Sequence, residues 1–170
     1  MRRILSILLL LMGISINSSQ GRLIEMEKPI SRLNLQESLE VQGYTFLRFD
    51  NFTVDPLAVG FVELWDNPKI IADAGHFMIV PENQILALRD DAKPNKIACC
   101  IRFGVIDSCG HIDQLATHPD DRGKGLAKKL MMEAEFFCAT HECSSLKLSV
   151  YRDNELAISF YEKIGFSRCN

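Results

Sequence analysis

The segment Asp120-Asp121-Arg122-Gly123-Lys124-Gly125-Leu126-Ala127 constrains this chain most, because it joins a strand-like stretch to the most regular amphipathic run in the sequence. Leu126, Leu130, Ala134 and Phe137 recur at spacings of 4, 4 and 3, with Lys128, Lys129, Glu133 and Glu135 between them, so a helix begins near Leu126. Backbone amides with no partner of their own converge at such a start. The two glycines let the backbone approach a ligand closely, and Arg122 and Lys124 add positive charge, a combination suited to a pyrophosphate. Two common nucleotide loops are excluded by spelling. A Walker loop needs Ser or Thr where Gly125 follows Lys124, and the dinucleotide fingerprint needs a third glycine where Lys128 stands. Taken alone, the loop also fits a plain basic helix start.

The surrounding pattern predicts strands at Tyr44–Phe49, Gln84–Arg89, Lys96–Phe103 and His111–Thr117, the second and third joined by a turn over residues 90–95. Pro119 ends the last of these. Thr53, Asp55 and Pro56 read as the start of a helix over Leu57–Trp65, and a second short helix fits Pro68–Ala74. After the helix from Leu126, Leu146, Leu148 and Val150 alternate with polar residues as in a strand. Leu156, Phe160 and Ile164 then mark one face of a final helix stopping at Gly165. The fold class expected is α/β (α+β), a mixed and mostly antiparallel sheet flanked by helices.

At 170 residues the chain holds one domain, placed at residues 44–170, with 21–43 as a linker or N-terminal arm. Residues 1–20 form a signal-like hydrophobic segment: Arg2 and Arg3 precede the uncharged Ile4–Ile16, which is too short to span a bilayer comfortably. Export or membrane tethering is expected from it, and a cytoplasmic protein if translation starts at Met26. A net charge of −3 provides no global field for nucleic acid, so none is expected as a partner. The six cysteines show no disulfide spacing, and Cys99 and Cys100 sit in an apolar run as core residues do. Cys138, His141 and Cys143 cluster without a fourth ligand, so no metal is expected.

Two motifs carry a family resemblance. Arg122-Gly123-Lys124-Gly125-Leu126-Ala127 resembles the Gln/Arg-x-x-Gly-x-Gly/Ala signature of the GCN5-related N-acetyltransferases, preceded by Leu115-Ala116-Thr117-His118-Pro119 like that family's strand into the loop. Leu148-Ser149-Val150, Asn154, Ala157 and Phe160-Tyr161-Glu162-Lys163-Ile164-Gly165-Phe166 resemble its closing strand and helix. The resemblance covers residues from about 44 to the end. It implies acetyl-CoA as co-substrate, with the amides of residues 122–127 (Arg122, Gly123, Lys124, Gly125, Leu126, Ala127) on the pyrophosphate, the main chain of Leu115, Ala116 and Thr117 along the pantetheine arm, and Asn154 near the cofactor. Relatives continue past the Gly-Phe pair into further strands, whereas here Asn170 follows four residues after Phe166, so shortened or absent C-terminal strands are expected.

Acetyl transfer needs a neutral amine, a site for the oxyanion and a proton for the departing thiolate. Many relatives place a glutamate eleven residues before the loop arginine, a position held here by His111. A histidine, with an unperturbed pKa of ~6.5, can accept that proton. The alternative is a strand-end histidine facing solvent or a carbonyl. Asp113 falls where one branch of the family, the serotonin N-acetyltransferases, carries a second histidine, and it reads equally as a partner group or a solvated carboxylate. His118 reads as structural. Tyr161 stands where the family commonly places the tyrosine that protonates sulfur; burial with Phe160 explains it as well. Asn154 fits an N-cap. The expected function is acetyl transfer to a primary amine of a small molecule or protein, the alternative a catalytically silent CoA-binding module. A homodimer and N-terminal membrane association complete the expectations.

Overall fold

A computed structural model of the protein describes residues 23–31, 40–49 and 83–169. Seven strands form one sheet in the order β2-β3-β4-β5-β6-β1-β7. They are β1 (Leu23–Pro29), β2 (Tyr44–Phe49), β3 (Asn83–Asp90), β4 (Ile97–Ile106), β5 (Cys109–Thr117), β6 (Ser145–Tyr151) and β7 (Ser167–Arg168), with helices α1 (Leu126–Thr140) and α2 (Glu155–Lys163). β2 to β5 run as an antiparallel meander. The chain then crosses over through α1, and β6 returns parallel to β5. The helices expected at 57–65 and 68–74, like the Ile4–Ile16 segment, lie outside the described residues.

Local chemistry accounts for these elements. Leu126, Leu130, Met131, Ala134 and Cys138 are buried along one face of α1, which lies across β4 and β5. Each fully buried large side chain contributes about 1.5–3 kcal/mol against remaining in water. Gly110 makes the approach possible: a Cβ there would lie 2.5 Å from both Cys138 Sγ and Leu146 Cδ2. The adjacent thiols of Cys99 and Cys100 point to opposite faces of β4, Cys99 into the main core and Cys100 into a smaller cluster with Ala87 and Ile97.

Two expectations change. Residues 21–43 are no mere arm, because Leu23–Pro29 pairs along its whole length with β6, and Met26 and Glu27 also pair with β7. Met26 is fully buried, and the first strand of the chain separates its last two. Leu156 does not belong to the buried face of α2. It is 87% exposed, and Ala157, Ile158, Phe160, Tyr161 and Ile164 pack against the core instead. The spacing of four that joins Leu156, Phe160 and Ile164 is real, but Ile158 sets the inward direction. After α2 the chain forms a two-residue strand, β7.

Candidate active site

The site begins where β5 and β6 part. Their parallel pairing runs only from Cys109 opposite Ser145 to Ile112 opposite Leu148. Beyond it β5 continues to Thr117 with β4 on its other side, and β6 continues to Tyr151 with β1 on its other side. A gap therefore opens between Asp113–Thr117 and Ser149–Tyr151, and alternate main-chain groups of each strand face it without a strand partner. Leu115, Ala116 and Thr117 line one wall, and His111, opposite Lys147, sits half-buried at the closed end.

A bulge shapes that wall. Phe103 pairs with Ile112 and Arg102 with Gln114, so Asp113 is the extra residue. The insertion reverses the alternation: Ile112 before it and Leu115 after it both pack into the main core, while Ala116 meets the smaller cluster on the other face. Asp113 lies 3.3 Å from Arg102 Nε. Burial pushes its carboxyl above the usual range, opposed by Arg102 and by His111 nearby.

At the mouth of the gap the chain turns through Pro119–Asp121 into the glycine loop. His118 Nδ1 accepts from the Asp120 amide at 3.3 Å, which caps this turn. Gly123 and Gly125 adopt φ of 77° and 79°, the left-handed region, and a Cβ at either would meet nothing within 4 Å. Gly125 is the N-cap of α1 and, lacking a side chain, leaves its first-turn amides without a side-chain acceptor. The loop thus presents uncapped donors to open space, with Leu126 buried behind it and Ala127 half-buried.

The loop's two cations are not equivalent. Arg122 is exposed, and its Nε donates to the Thr117 carbonyl at 3.4 Å. Lys124 donates to Asp121 Oδ1 at 2.6 Å and to Tyr44 Oη at 3.0 Å. Asp121 is almost fully buried and also pairs with Lys96 at 2.6 Å. Burial would push its carboxyl up, but hydrogen bonds from Lys124, Lys96 and Tyr44 outweigh that and hold it at about 2. Lys124 is correspondingly held protonated by Asp121. The ammonium that the sequence offers to a phosphate is therefore already balanced, and its visible work is to tie the loop to β2 and to the start of β4. Sequence reasoning missed Tyr44, Lys96 and Asp121 as a unit; only the Asp121 to Lys124 spacing of three hinted at it.

On the far wall, Asn154 caps α2, its Oδ1 accepting from the Ala157 amide at 3.2 Å. Tyr161, on the same helix, packs edge-on against Phe160 and Phe166 with ring centroids 5.3 and 5.7 Å apart. Burial pushes its phenol up to about 12, so it stays protonated through the neutral range. Among the described residues no hydrogen bond joins Tyr161 to His111.

Comparison with known proteins agrees with this geometry. Residues 36–166 match the sequence model of the acetyltransferase (GNAT) family. An acetyltransferase of Sodalis glossinidius is 38% identical over 52 residues, 31% of this chain and 37% of that protein, so the match spans little more than a third of the relative's length. Among solved structures, a tandem GNAT protein from the clavulanic acid biosynthesis pathway superposes with a TM-score of 0.66 at 15% identity, over 88% of this chain and 51% of that one. A PaiA N-acetyltransferase from Thermoplasma acidophilum, in complex with coenzyme A, gives 0.54 at 17% identity, over 72% and 90%.

Proposed function

This chain belongs to the acetyltransferase (GNAT) family, and from that premise we propose that it transfers an acetyl group from acetyl-CoA to a primary amine of a small molecule or protein by direct attack. The observation that carries the reading is the uncapped start of α1 behind two left-handed glycines, set at the mouth of a gap between parallel strands. Unpartnered amides beside a helix dipole suit a pyrophosphate. The unpaired edge of β5 offers Leu115, Ala116 and Thr117 main-chain groups to an extended amide-bearing arm, as an added strand would use them. A structural neighbour holds coenzyme A, which supports the same choice.

Within that reading His111 accepts the proton of the attacking amine, directly or through water, from the closed end of the gap. Tyr161 donates to the sulfur as charge develops there. Burial raises its phenol, so it enters the reaction protonated and able to donate as thiolate charge develops.

Calorimetry with acetyl-CoA, followed by a thiol-release assay over a panel of primary amines, tests the proposal. Binding with turnover supports it. Absence of binding at about millimolar cofactor overturns it, since that corresponds to only about 4 kcal/mol. Binding without turnover on every amine would identify the silent module.

A further inference from the structure

The bulge at Asp113 gathers polar side chains on one face of the sheet. Ile112 packs into the main core, and a Cβ on Gly110 would meet Cys138 and Leu146 there, so His111 between them faces the other side. Ile101 and Phe103, both in the main core, turn Arg102 to that side in the same way. Asp113 joins it, with Oδ2 lying 3.3 Å from Arg102 Nε. The face away from α1 therefore carries His111, Asp113 and Arg102 together. Asp113 is also the first residue beyond the last β5–β6 pair, Ile112 opposite Leu148. It stands where the gap begins, beside the histidine assigned to the attacking amine.

This carboxylate has capacity for one more cation. Arg102 engages Oδ2, and Oδ1 accepts no hydrogen bond among the described residues. The Asp113 side chain keeps 36% of its surface open to solvent. The protein around it is nevertheless close enough that burial raises the carboxyl, and neither Arg102 nor His111 overcomes that. A further positive charge arriving from the solvent side stabilises a carboxylate so placed. Lys147, opposite His111 on β6, is no such charge, because it pairs with Glu27 at 3.7 Å. We propose that Asp113 determines acceptor specificity by binding the second ammonium of a short diamine whose other, neutral amino group is attacked from beside His111. Two steps along a strand set these groups about 7 Å apart, roughly the reach of a chain of four methylene groups. The inference rests on the acetyl-transfer reading above and adds to it the class of acceptor.

The test is steady-state acetylation by the full chain of butylamine and of its diamine counterpart, tetramethylenediamine, repeated with Asp113→Asn, which keeps the size and removes the charge. One charge-assisted hydrogen bond predicts that wild-type kcat/KM for the diamine exceeds that for the monoamine by about ten- to a hundredfold, expressed chiefly in KM. Having two amino groups accounts for only a factor of about two of this by number. The preference shrinks as salt is raised and falls to that statistical factor in Asp113→Asn. A general disturbance of the site slows both amines alike and leaves their ratio unchanged, so the ratio is the readout. Equal wild-type kcat/KM for the two amines, or a preference that survives in the variant, overturns the diamine assignment and leaves acetyl transfer standing. Acetylation of other amines with neither of this pair does the same. Absence of acetyl-CoA binding, or binding with no amine acetylated, overturns both.

Discussion

Gly125→Val separates what the loop does for the fold from what it does for the ligand. The position has φ of 79° and open space for 4 Å around the place a Cβ would take, so a new side chain meets backbone strain but no neighbour. A left-handed conformation costs an L-residue about 1–2 kcal/mol, and a β-branched one lies at the upper end. Against a total stability of about 5–15 kcal/mol the variant stays folded. Its Tm falls by roughly 2–8 °C for a chain of this size. The same Cβ projects into the space before the α1 amides. Each charge-assisted hydrogen bond lost there is worth about 1.5–3 kcal/mol, so acetyl-CoA affinity falls by about ten to a hundredfold. Gly125→Asn divides the two effects, because Asn tolerates the left-handed region: it should recover most of the Tm and little of the affinity. Calorimetry and thermal melts on both variants decide the matter. Wild-type affinity in folded Gly125→Val would refute the assignment of this loop to the pyrophosphate.

Tyr161→Phe should lower turnover while leaving acetyl-CoA affinity nearly intact, because the phenol donates only as thiolate charge develops; His111→Gln should remove the rising limb of the pH–rate profile, and full activity in both variants would leave proximity as the only catalysis. Asp121, held at about 2 against an ordinary 3.8, contributes stability that is present above about pH 4 and lost as pH falls through 2. Discounted for the half-exposed Lys124, it is worth about 2 kcal/mol, and Asp121→Asn should flatten acid unfolding followed by circular dichroism. Cys99 and Cys138 act in the opposite direction. Their thiols rise from 9.0 to about 12, so each supports the fold below pH 9 and ceases to do so as pH climbs toward 12. Cys138→Ala should make the alkaline decline of unfolding free energy measurably shallower. Deleting residues through Glu25 removes three of the seven β1 pairs with β6 and the Cys169 amide bond to the Glu25 carbonyl. A lower Tm than that of a chain beginning at Gly21 is expected, and equal melting of the two would show β1 to be dispensable.

The parts of this fold that were legible in the sequence are those whose cause is local. The spacing of Leu126, Leu130 and Ala134 needs only helix geometry to predict α1, and its buried face matches. Gly123 and Gly125 stand out in the sequence as positions of close backbone approach, and the structure gives both the left-handed φ that few other residues adopt. The strand at Tyr44–Phe49 has the bounds its residues suggest. What the sequence hides is non-local. Asp121 stands beside Asp120 before the basic loop, with nothing in the sequence to single it out. It is a buried acceptor only because Tyr44 and Lys96 arrive from β2 and from the turn before β4. The bulge at Asp113 leaves no trace in composition, yet it decides which face each residue of the site's wall presents.

The first strand is the sharpest case. Leu23–Pro29 contains two glutamates and a lysine, and only Met26 is fully buried, so its hydrophobic signal is too weak to separate a strand from an arm. Its place follows from the free edge of β6. β6 needs a partner on the side away from β5, and β7, with two residues, is too short to serve. An antiparallel strand of seven residues supplies the ladder to β6 and offers its other edge to β7. That same ladder holds Ser149–Tyr151 on the far side of the gap after β6 has left β5. The wall facing Leu115, Ala116 and Thr117 is thus anchored by β1, a strand that carries none of the family's motifs, and the width of the proposed pantetheine channel depends on residues outside every motif the sequence displays.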